Sequence, residues 1–456
     1  MTARHLQTES GDDLPAADHD LVPAVPATLE ATGLSEEFIV DLLLKTLYVQ
    51  GARSGQQLVE GICLPFPIVD EHLLTLQQRR IIEVRGTCQF PSRGGYIFDL
   101  TASGRERARE ATISNQYVGP APVPLEHYRT WVQRQSIQHM HVTRETVEKG
   151  FSGLVLTPGM TDQLGPAVNS AKSLFLYGES GNGKTAIAEI IARLLGGPLF
   201  VPYAIENDGQ VIVVYDPVYH RKIEEERFGE PGRADLEALW SASRGAYDQR
   251  FVKVERPVVL TGGELTLDQL ELQFDNHTKM YQAPFQMKAN GGVLIVDDFG
   301  RQRVPPRDLL NRWIVPLEKR VDFLTLHTGS KFPVPFDCLL IFATNIDPKD
   351  LVEEAFLRRI HYKIEIGSPT REQYLTIFQR YCQLAGIPFT RKAVDYVYTN
   401  FYERYSIAPR GCHPRDIIDH VKDIAKFMEE DPLLSPELMD RACRSYFLDF
   451  PTPGGV

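Results

Sequence analysis

The chain has 456 residues, of which 43% are hydrophobic and 24% charged, and its formal net charge is −11. This length predicts about three folded units with cores that need no disulfides or metals, and the acidic balance argues against a non-specific nucleic-acid coat protein. The sequence lacks both an apolar run of the ~18–20 residues that a membrane span needs and the start of a signal peptide. The six cysteines form no CxxC pair, which excludes a zinc finger, and we expect a cytoplasmic protein with reduced thiols.

The first 33 residues form an acidic segment with three prolines. They contain six acidic residues against one base, Arg4. The apolar surface of this segment is too small to offset the entropy that the chain loses on ordering. We therefore expect residues 1–33 to be a disordered tail.

Residues 34–114 have the pattern of a small α+β domain. Ser35 with the two glutamates after it predicts a helix start, and a second amphipathic run places Ile68 and Leu73 inward. Two strand-like pieces at 81–85 and 96–100 flank a turn, and Thr101 or Ser103 then opens a further helix. This order of elements resembles a winged helix-turn-helix domain.

Winged helices bind DNA or dock proteins, and both alternatives stay open here. In a DNA-binding version, residues 66–95 supply the groove helix and the wing. The outward candidates are Thr75, Gln77, Gln78, Arg79, Arg80 and Arg93. Residues 34–112 nevertheless carry nine bases and ten acids. Asp70 and Glu71 lie near the start of the groove helix, where their carboxylates would repel the phosphates of DNA.

Residues 115–135 are predicted to be a proline-rich linker, and 136–368 an α/β domain. Short apolar runs separated by helical stretches are typical of a parallel sheet covered on both faces. The predicted strands are 173–178, 199–203, 292–298, 338–345 and 362–366. Residues 369–450 contain only helical patterns, at 371–384, 390–403, 414–429 and 435–447.

A phosphate-binding loop is the most specific motif of the chain. The pattern GxxxxGK[ST] is matched by Gly178, Glu179, Ser180, Gly181, Asn182, Gly183, Lys184 and Thr185. The motif follows a predicted strand and opens a predicted helix, the context that it requires. We expect its backbone to hold the phosphates of ATP, with Lys184 bridging the β- and γ-phosphates and Thr185 ligating Mg²⁺.

A second motif, which is acidic, follows the phosphate-binding loop about 110 residues later in the chain. The buried strand VLIV ends in Asp297 and Asp298. An acid at the end of a central strand lies beside the phosphate-binding loop, where Asp297 is expected to hold Mg²⁺ through water. Asp298 is then expected to orient and polarise the attacking water.

These motifs together resemble AAA+ ATPases over roughly residues 136–450. The resemblance implies that Asn345, at the end of the next strand, helps to place the lytic water. It also implies that Arg358 or Arg359, of which we favour Arg359, reaches the γ-phosphate of a neighbouring subunit. Arg415, in the sequence GCHPRD, is implied to contact nucleotide from the helical lid. A homo-oligomeric ring, most simply a hexamer, is implied as well.

Two features narrow the resemblance. Residues 321–337 read as two β-pieces around a Thr-Gly-Ser-Lys turn, a hairpin inserted before the strand that bears Asn345. The run FQMKANGGVLIVDD resembles MoxR-type ATPases and activators of sigma-54 transcription, but the GAFTGA sequence of the latter is absent. Residues 204–285 form a long insertion with a hairpin strand predicted at 211–216.

Three function hypotheses follow. The first is a protein-remodelling ATPase that uses the winged helix to recruit its client. The second is a DNA-associated ATPase such as a helicase loader, a recombination factor or a transcriptional regulator. The third is an ATP-binding switch without turnover. It is suggested by Asp298, because most of the family has glutamate there and aspartate places its carboxylate ~1.5 Å further back.

Overall fold

The structure is a computed structural model that describes residues 22–88, 93–223, 247–351 and 354–447. These residues divide into two compact units. The first unit comprises the described residues up to 135 together with 200–209 and 247–252. The second unit comprises 136–199, 210–223 and the described residues from 253 onward.

The first unit combines six helices with short strands in its described part. The helices are α1 (Leu29–Thr32), α2 (Glu36–Gln50), α3 (Gly55–Ile62), α4 (Phe66–Gln78), α5 (Ala102–Ser114) and α6 (Leu125–Arg134). The strands are β1 (Arg53–Ser54), β2 (Ile82–Thr87), β3 (Tyr96–Leu100), β4 (Val123–Pro124) and β7 (Ala204–Asn207). Strand β3 lies between β1 and β2 in an antiparallel sheet, while β4 pairs in parallel with β7.

Local sequence signals set the helix starts of this unit. The Ser35 hydroxyl accepts the backbone N–H of Phe38 and caps α2, and Thr101, rather than Ser103, caps α5. Gly104 lies one turn into α5, where an added Cβ would come within 2.0 Å of the carbonyl oxygen of Ile81. Only glycine lets α5 approach the chain that enters β2 so closely.

Two segments of the first unit are more ordered than the sequence predicts. Helix α1 lies inside the segment expected to be disordered, and Thr32 is fully buried; residues 1–21 of that segment lie outside the described residues. The expected linker contains α6, whose Tyr128 and Trp131 are buried. Its aromatic side chains supply the apolar surface that composition alone did not reveal, because proline dominates the sequence just before it.

The second unit contains the predicted α/β region and the C-terminal helices. Its helices are α7 (Arg144–Gly150), α8 (Met160–Asn169), α9 (Lys184–Leu194), α10 (Phe285–Lys288), α11 (Pro306–Lys319), α12 (Pro348–Leu351), α13 (Glu354–Leu357), α14 (Arg371–Ala385), α15 (Arg391–Val397), α16 (His413–Met428) and α17 (Pro436–Tyr446). Its strands are β5 (Leu174–Tyr177), β8 (Gln210–Val213), β10 (Val258–Thr261), β11 (Gln273–Asp275), β12 (Met280–Gln282), β13 (Val293–Val296), β14 (Val321–Thr325), β15 (Lys331–Pro335), β16 (Leu339–Thr344) and β17 (Tyr362–Glu365). Strands β6 (Pro198–Pro202) and β9 (Phe251–Glu255) contribute residues to both units.

A five-stranded parallel sheet in the order β10-β13-β16-β5-β17 forms the centre of the second unit. Four of the five predicted strands are confirmed as members. The fifth prediction is wrong in its placement, because residues 199–203 fall in β6, which pairs with β9, and the sheet edge is β10 instead. Prolines at both ends of β6 lack the N–H donors that a strand inside a ladder needs, which explains the exclusion.

Both faces of this sheet are buried. Leu174 and Leu176 of β5 pack toward α8 and α9 in one hydrophobic cluster. Phe175 lies on the opposite face, where its ring stacks 5.4 Å from that of Phe342 beside Trp313 of α11. Neighbouring residues of one strand therefore serve two cores, which is why the strands read as unbroken apolar runs.

Two smaller β elements belong to the same unit. Strands β14 and β15 form the predicted antiparallel hairpin, with Val321 opposite Pro335 and Thr325 opposite Lys331. Strand β8 confirms the strand predicted at 211–216 as far as Val213, and the prediction is wrong for 214–216. Strand β8 pairs in parallel with β12, which in turn pairs with β11.

The C-terminal helices α14–α17 form their own hydrophobic cluster around Tyr374, Phe378 and Tyr402. The helix predicted at 390–403 is not uniform, since α15 ends at Val397 and a π-helical turn covers Tyr398–Glu403. Within the described ranges, no helix has the length and apolar character that a membrane crossing requires.

The second unit contains a buried histidine that should make its stability depend on pH. Nδ1 of His220 accepts the backbone N–H of Asp216 at 2.9 Å, so Nε2 carries the hydrogen that faces the carbonyl oxygen of Lys288 at 2.9 Å. Burial lowers the pKa of His220 to about 4. The neutral ring therefore contributes stability that is complete above pH 6.5 and is lost as the pH falls toward 4.

We expect the thermal unfolding midpoint to be level from pH 8 to 7 and to fall below pH 6.5. The shift corresponds to at most about 3 kcal/mol between the two limits. His220→Gln should make this dependence shallower, and a part should remain because burial also lowers the pKa of His413 in the same unit to about 4. His139→Gln, at an exposed position, should leave the dependence unchanged. Equal pH slopes in all three proteins, measured by differential scanning calorimetry, would contradict the assignment.

Candidate functional site

The GESGNGKT segment forms the loop between β5 and α9. Gly178, its first residue, has a φ of 132°, and an added Cβ would lie 2.4 Å from the carbonyl oxygen of Ile366. Gly181 and Gly183 also have positive φ, at 84° and 88°. The glycines of the motif are thus required by a backbone that other residues cannot adopt without strain.

Lys184 points into this loop from the first turn of α9. Its Nζ donates to the carbonyl oxygens of Gly178 at 2.9 Å and Glu179 at 3.1 Å. Burial lowers the pKa of Lys184, and the nearby carboxylates of Asp297 and Asp298 act in the opposite direction. An ammonium that donates to two neutral carbonyls can exchange them for phosphate oxygens, which bind a cation more strongly.

Thr185 connects the loop to the second acidic motif. Its Oγ1 donates to Oδ2 of Asp297 at 2.7 Å, and the backbone N–H of Asp298 donates to Oδ1 of Asp297 at 2.9 Å. A hydroxyl beside a carboxylate is a ligand pair that suits Mg²⁺ together with phosphate oxygens. Within the described ranges, no group of three or more His, Cys, Asp or Glu side chains is placed to hold a metal ion.

Asp298 and Asn345 lie at the same edge of the sheet as the loop. Asp298 is exposed and adopts a φ of 48° directly after β13. Strand β16 pairs in parallel with both β13 and β5, so Asn345, which follows it, emerges near Gly178. Oδ1 of Asn345 is buried and makes no hydrogen bond within the described part of the chain, which fits an acceptor kept for a ligand or water.

The C-terminal GCHPRD segment, from which the sequence analysis selected Arg415, contacts the loop through its backbone. The N–H of Gly411 donates to Oδ1 of Asn182 at 3.0 Å, and the N–H of Cys412 donates to the carbonyl oxygen of Gly181 at 2.8 Å. These contacts attach the start of α16 to the phosphate-binding loop. The glycine before the predicted helix start was the one sequence signal for them.

The charged contact of this segment comes from Arg410. Its Nη2 lies 3.2 Å from Oε2 of Glu179, the second residue of the loop motif. Arg415, the residue predicted from the sequence, instead donates to its neighbour Asp416 at 2.9 Å. The structure thus brings Arg410 to the loop directly, and the role expected for Arg415 stays a prediction.

Arg358 and Arg359 lie where the parallel strands of the sheet begin, at the end of the strands opposite the phosphate-binding loop. They precede β17, and the carbonyl oxygen of Arg359 accepts a hydrogen bond from the hydroxyl of Ser173, which precedes β5. The phosphate-binding loop follows β5, at the opposite end of that strand. Four strand residues span about 13 Å at ~3.3 Å each, so Arg359 is separated from the loop of its own chain.

The possible DNA-binding residues of the first unit differ in exposure. Gln77, Gln78, Arg79 and Arg80 are exposed at the end of α4, and Thr75 is half-buried. Arg93, expected to face outward, instead pairs through Nε with Oδ1 of Asp70 at 2.8 Å. Residues 89–92 of the predicted wing lie outside the described ranges.

Comparison with known proteins gives one family match, which covers a minor part of the chain. Residues 370–445 match a domain of unknown function (DUF8689). The sequence comparison with curated proteins gives no match.

Solved structures give weak similarities. NtrX from Brucella abortus in complex with ADP has a TM-score of 0.40 at 15% identity, with 66% of this chain and 57% of that chain covered. The Thermotoga maritima RuvB Holliday junction branch migration motor has a TM-score of 0.32 at 13% identity, with 68% and 72% covered. The chain thus spans little more than half of the NtrX structure. Scores of this size do not establish a shared activity.

Proposed function

We propose that the protein is an ATPase of the AAA+ class that uses ATP hydrolysis to remodel a partner macromolecule, most directly a protein. The observation that carries the proposal is the joined pair of motifs, in which Lys184 lies inside the glycine loop and Thr185 donates to Asp297. ATP and Mg²⁺ fit these side chains and the backbone of the loop. The loop has a conformation that requires glycine, and the buried Oδ1 of Asn345 has no partner within the described residues, which leaves it available to a ligand or water. Bound Mg²⁺ supplies charge neutralisation for the phosphates.

The residues of the chain then have distinct tasks. Lys184 binds the transferred phosphate, and Asp298 holds the attacking water with Asn345. The water oxygen forms a bond to the γ-phosphorus as the water gives a proton to the Asp298 carboxylate. The bond between the γ-phosphorus and the β–γ bridging oxygen breaks, ADP and phosphate leave, and Asp298 releases the proton to solvent. Arg410, together with Arg415, contacts the bound nucleotide from the C-terminal helical part of the unit.

A ring of subunits, most simply a hexamer, is part of the proposal. Its support is the position of Arg358 and Arg359 at the sheet edge opposite the phosphate-binding loop, from which an arginine serves a neighbouring copy more readily than its own site. The hairpin of β14 and β15, as in the MoxR-like group, is then a candidate for contact with the client.

For the first unit we propose a winged helix that docks protein rather than DNA. Its support is the Arg93–Asp70 ion pair, which neutralises a wing cation that phosphate contact would use. Among the residues predicted to contact DNA, Arg79 and Arg80 are exposed cations, and a DNA-associated ATPase would use them to bind phosphate. Sub-micromolar, strongly salt-dependent binding of duplex DNA that is lost in Arg79→Ala/Arg80→Ala would reverse this choice.

Asp298→Asn tests the hydrolytic function against a non-hydrolysing switch. Asparagine keeps the size of the side chain but cannot polarise water as a base, so we expect phosphate release to fall about 100-fold or more. Nucleotide binding, measured by titration with a fluorescent ATP analogue, should persist because Lys184 and Thr185 are intact. Asp308→Asn, at an exposed position of α11, is the matched control. Unchanged turnover would remove Asp298 from the mechanism, and binding without turnover in the wild type would favour the switch.

A further inference from the structure

The backbone at Asp298 has a conformation that residues other than glycine adopt infrequently. Its φ of 48° lies in the left-handed region, which costs free energy for a residue that has a Cβ. Such residues persist at functional sites where the surrounding structure holds them in place. The side chain of Asp298 is exposed, so the contacts that hold this conformation are those of the turn between β13 and α11.

Phe299 fixes one side of this turn to the sheet. Its side chain is fully buried. Its backbone N–H donates to the carbonyl oxygen of Ala343 at 2.8 Å, and its own carbonyl oxygen accepts the hydroxyl of Thr344 at 2.7 Å. Both partners belong to β16, the strand that pairs with β13. The sheet therefore sets the position of the residue that follows Asp298.

Gln302, a buried side chain, closes the other side of the turn. Its amide nitrogen lies 3.0 Å from the carbonyl oxygen of Asp297 and 3.3 Å from that of Asp298. The same nitrogen lies 3.4 Å from the carbonyl oxygen of Gly262, which follows β10. The amide oxygen accepts the backbone N–H of Gly300 at 2.8 Å. All four partners are backbone atoms, so this side chain recognises the path of the turn.

We propose that Gln302 is a positioning residue for ATP hydrolysis, which holds the backbone of Asp298 so that the carboxylate faces the attacking water. The inference rests on the proposed function, because that function assigns Asp298 to the water. Glutamine suits the task because its amide both donates and accepts hydrogen bonds. Accurate placement of the backbone matters here because aspartate has one side-chain torsion fewer than glutamate with which to correct an error.

Gln302→Met tests the effect on turnover. Methionine keeps about the length of the side chain and removes its hydrogen bonds. We expect kcat to fall about 10- to 100-fold, because a displacement of ~1 Å in a reacting group has an effect of this size. The Kd of a fluorescent ATP analogue should be unchanged, since Lys184 and Thr185 are intact. Gln282→Met, the same change at an exposed position of β12, should leave kcat and Kd unchanged.

A double substitution separates positioning from a general loss of structure. Turnover in Asp298→Asn/Gln302→Met should equal that of Asp298→Asn alone, because Gln302 acts through the Asp298 carboxylate. A merely structural glutamine would lower turnover by the same factor in both backgrounds. Equal factors in the two backgrounds would therefore overturn the proposal.

Amide hydrogen exchange tests the contact without hydrolysis. The N–H of Gly300 is bonded to Gln302, so its exchange should become about tenfold faster or more in Gln302→Met, while the amides of β14 exchange as in the wild type. Unchanged exchange at Gly300, with turnover lost in Asp298→Asn, overturns the role of Gln302 alone. Faster exchange at Gly300 with unchanged turnover in Asp298→Asn refutes the proposed task of Asp298, and the positioning role with it.

Discussion

Lys184→Ala should reduce ATP hydrolysis by about 100-fold or more, because it removes the one cation that lies inside the phosphate-binding loop. In the structure the ammonium is held by the carbonyl oxygens of Gly178 and Glu179. Without it, the phosphate charge is left to backbone N–H groups and the helix terminus, which supply only partial charges. Steady-state phosphate release measures the effect, and nucleotide titration shows whether binding or the chemical step is lost.

The control for this substitution is Lys149→Ala, at an exposed position in α7. It removes the same charge from the surface of the same unit and should leave turnover at the wild-type level. Circular dichroism and the unfolding midpoint should match the wild type for both variants, because the hydrogen bonds of Lys184 lie within a single loop. Retention of half or more of the activity by Lys184→Ala would refute the assignment of the loop as the ATP site.

The phosphate-binding loop could be predicted from the sequence because its chemistry is local. Eight consecutive residues contain the turn, the lysine and the hydroxyl, and the glycines are required by contacts such as that of Gly178 with Ile366. The proximity of Asp297 to this loop could also be predicted, since the carboxyl ends of the parallel strands β13 and β5 lie at the same side of one sheet, with only β16 between them.

Contacts between distant segments could not be predicted in the same way. Arg410 pairs with Glu179 across 231 positions of sequence, and an exposed arginine in a loop gives no sign of its partner. The choice of the edge strand of the parallel sheet could not be predicted either, because β6 and β10 are equally apolar in sequence. The prolines of β6 were the available signal, but which strand joins a ladder also depends on packing of the whole unit.

Substitution of Arg359 or Arg358 should produce the second large loss of ATP turnover, because of where the two arginines lie. Arg359→Ala, or Arg358→Ala if that residue serves the neighbouring site, should lower turnover by about 10³-fold, as is typical of an arginine that stabilises the transferring phosphate. Both precede β17 and lie at the edge opposite Lys184. The defect should therefore belong to the active site of the adjacent copy and not to that of the same chain.

Mixing variants distinguishes these two cases. In a 1:1 mixture of Lys184→Ala with Arg359→Ala subunits, random assembly gives about a quarter of the sites an intact loop and an intact arginine. Phosphate release should recover toward that fraction, and dilution below the assembly concentration should abolish it. Lys184→Ala mixed with Asp297→Ala is the matched control, since both changes disable the loop side of a site and no combination is whole. Failure of recovery with both Arg359→Ala and Arg358→Ala would mean that each chain works alone, and the ring would then have no part in hydrolysis.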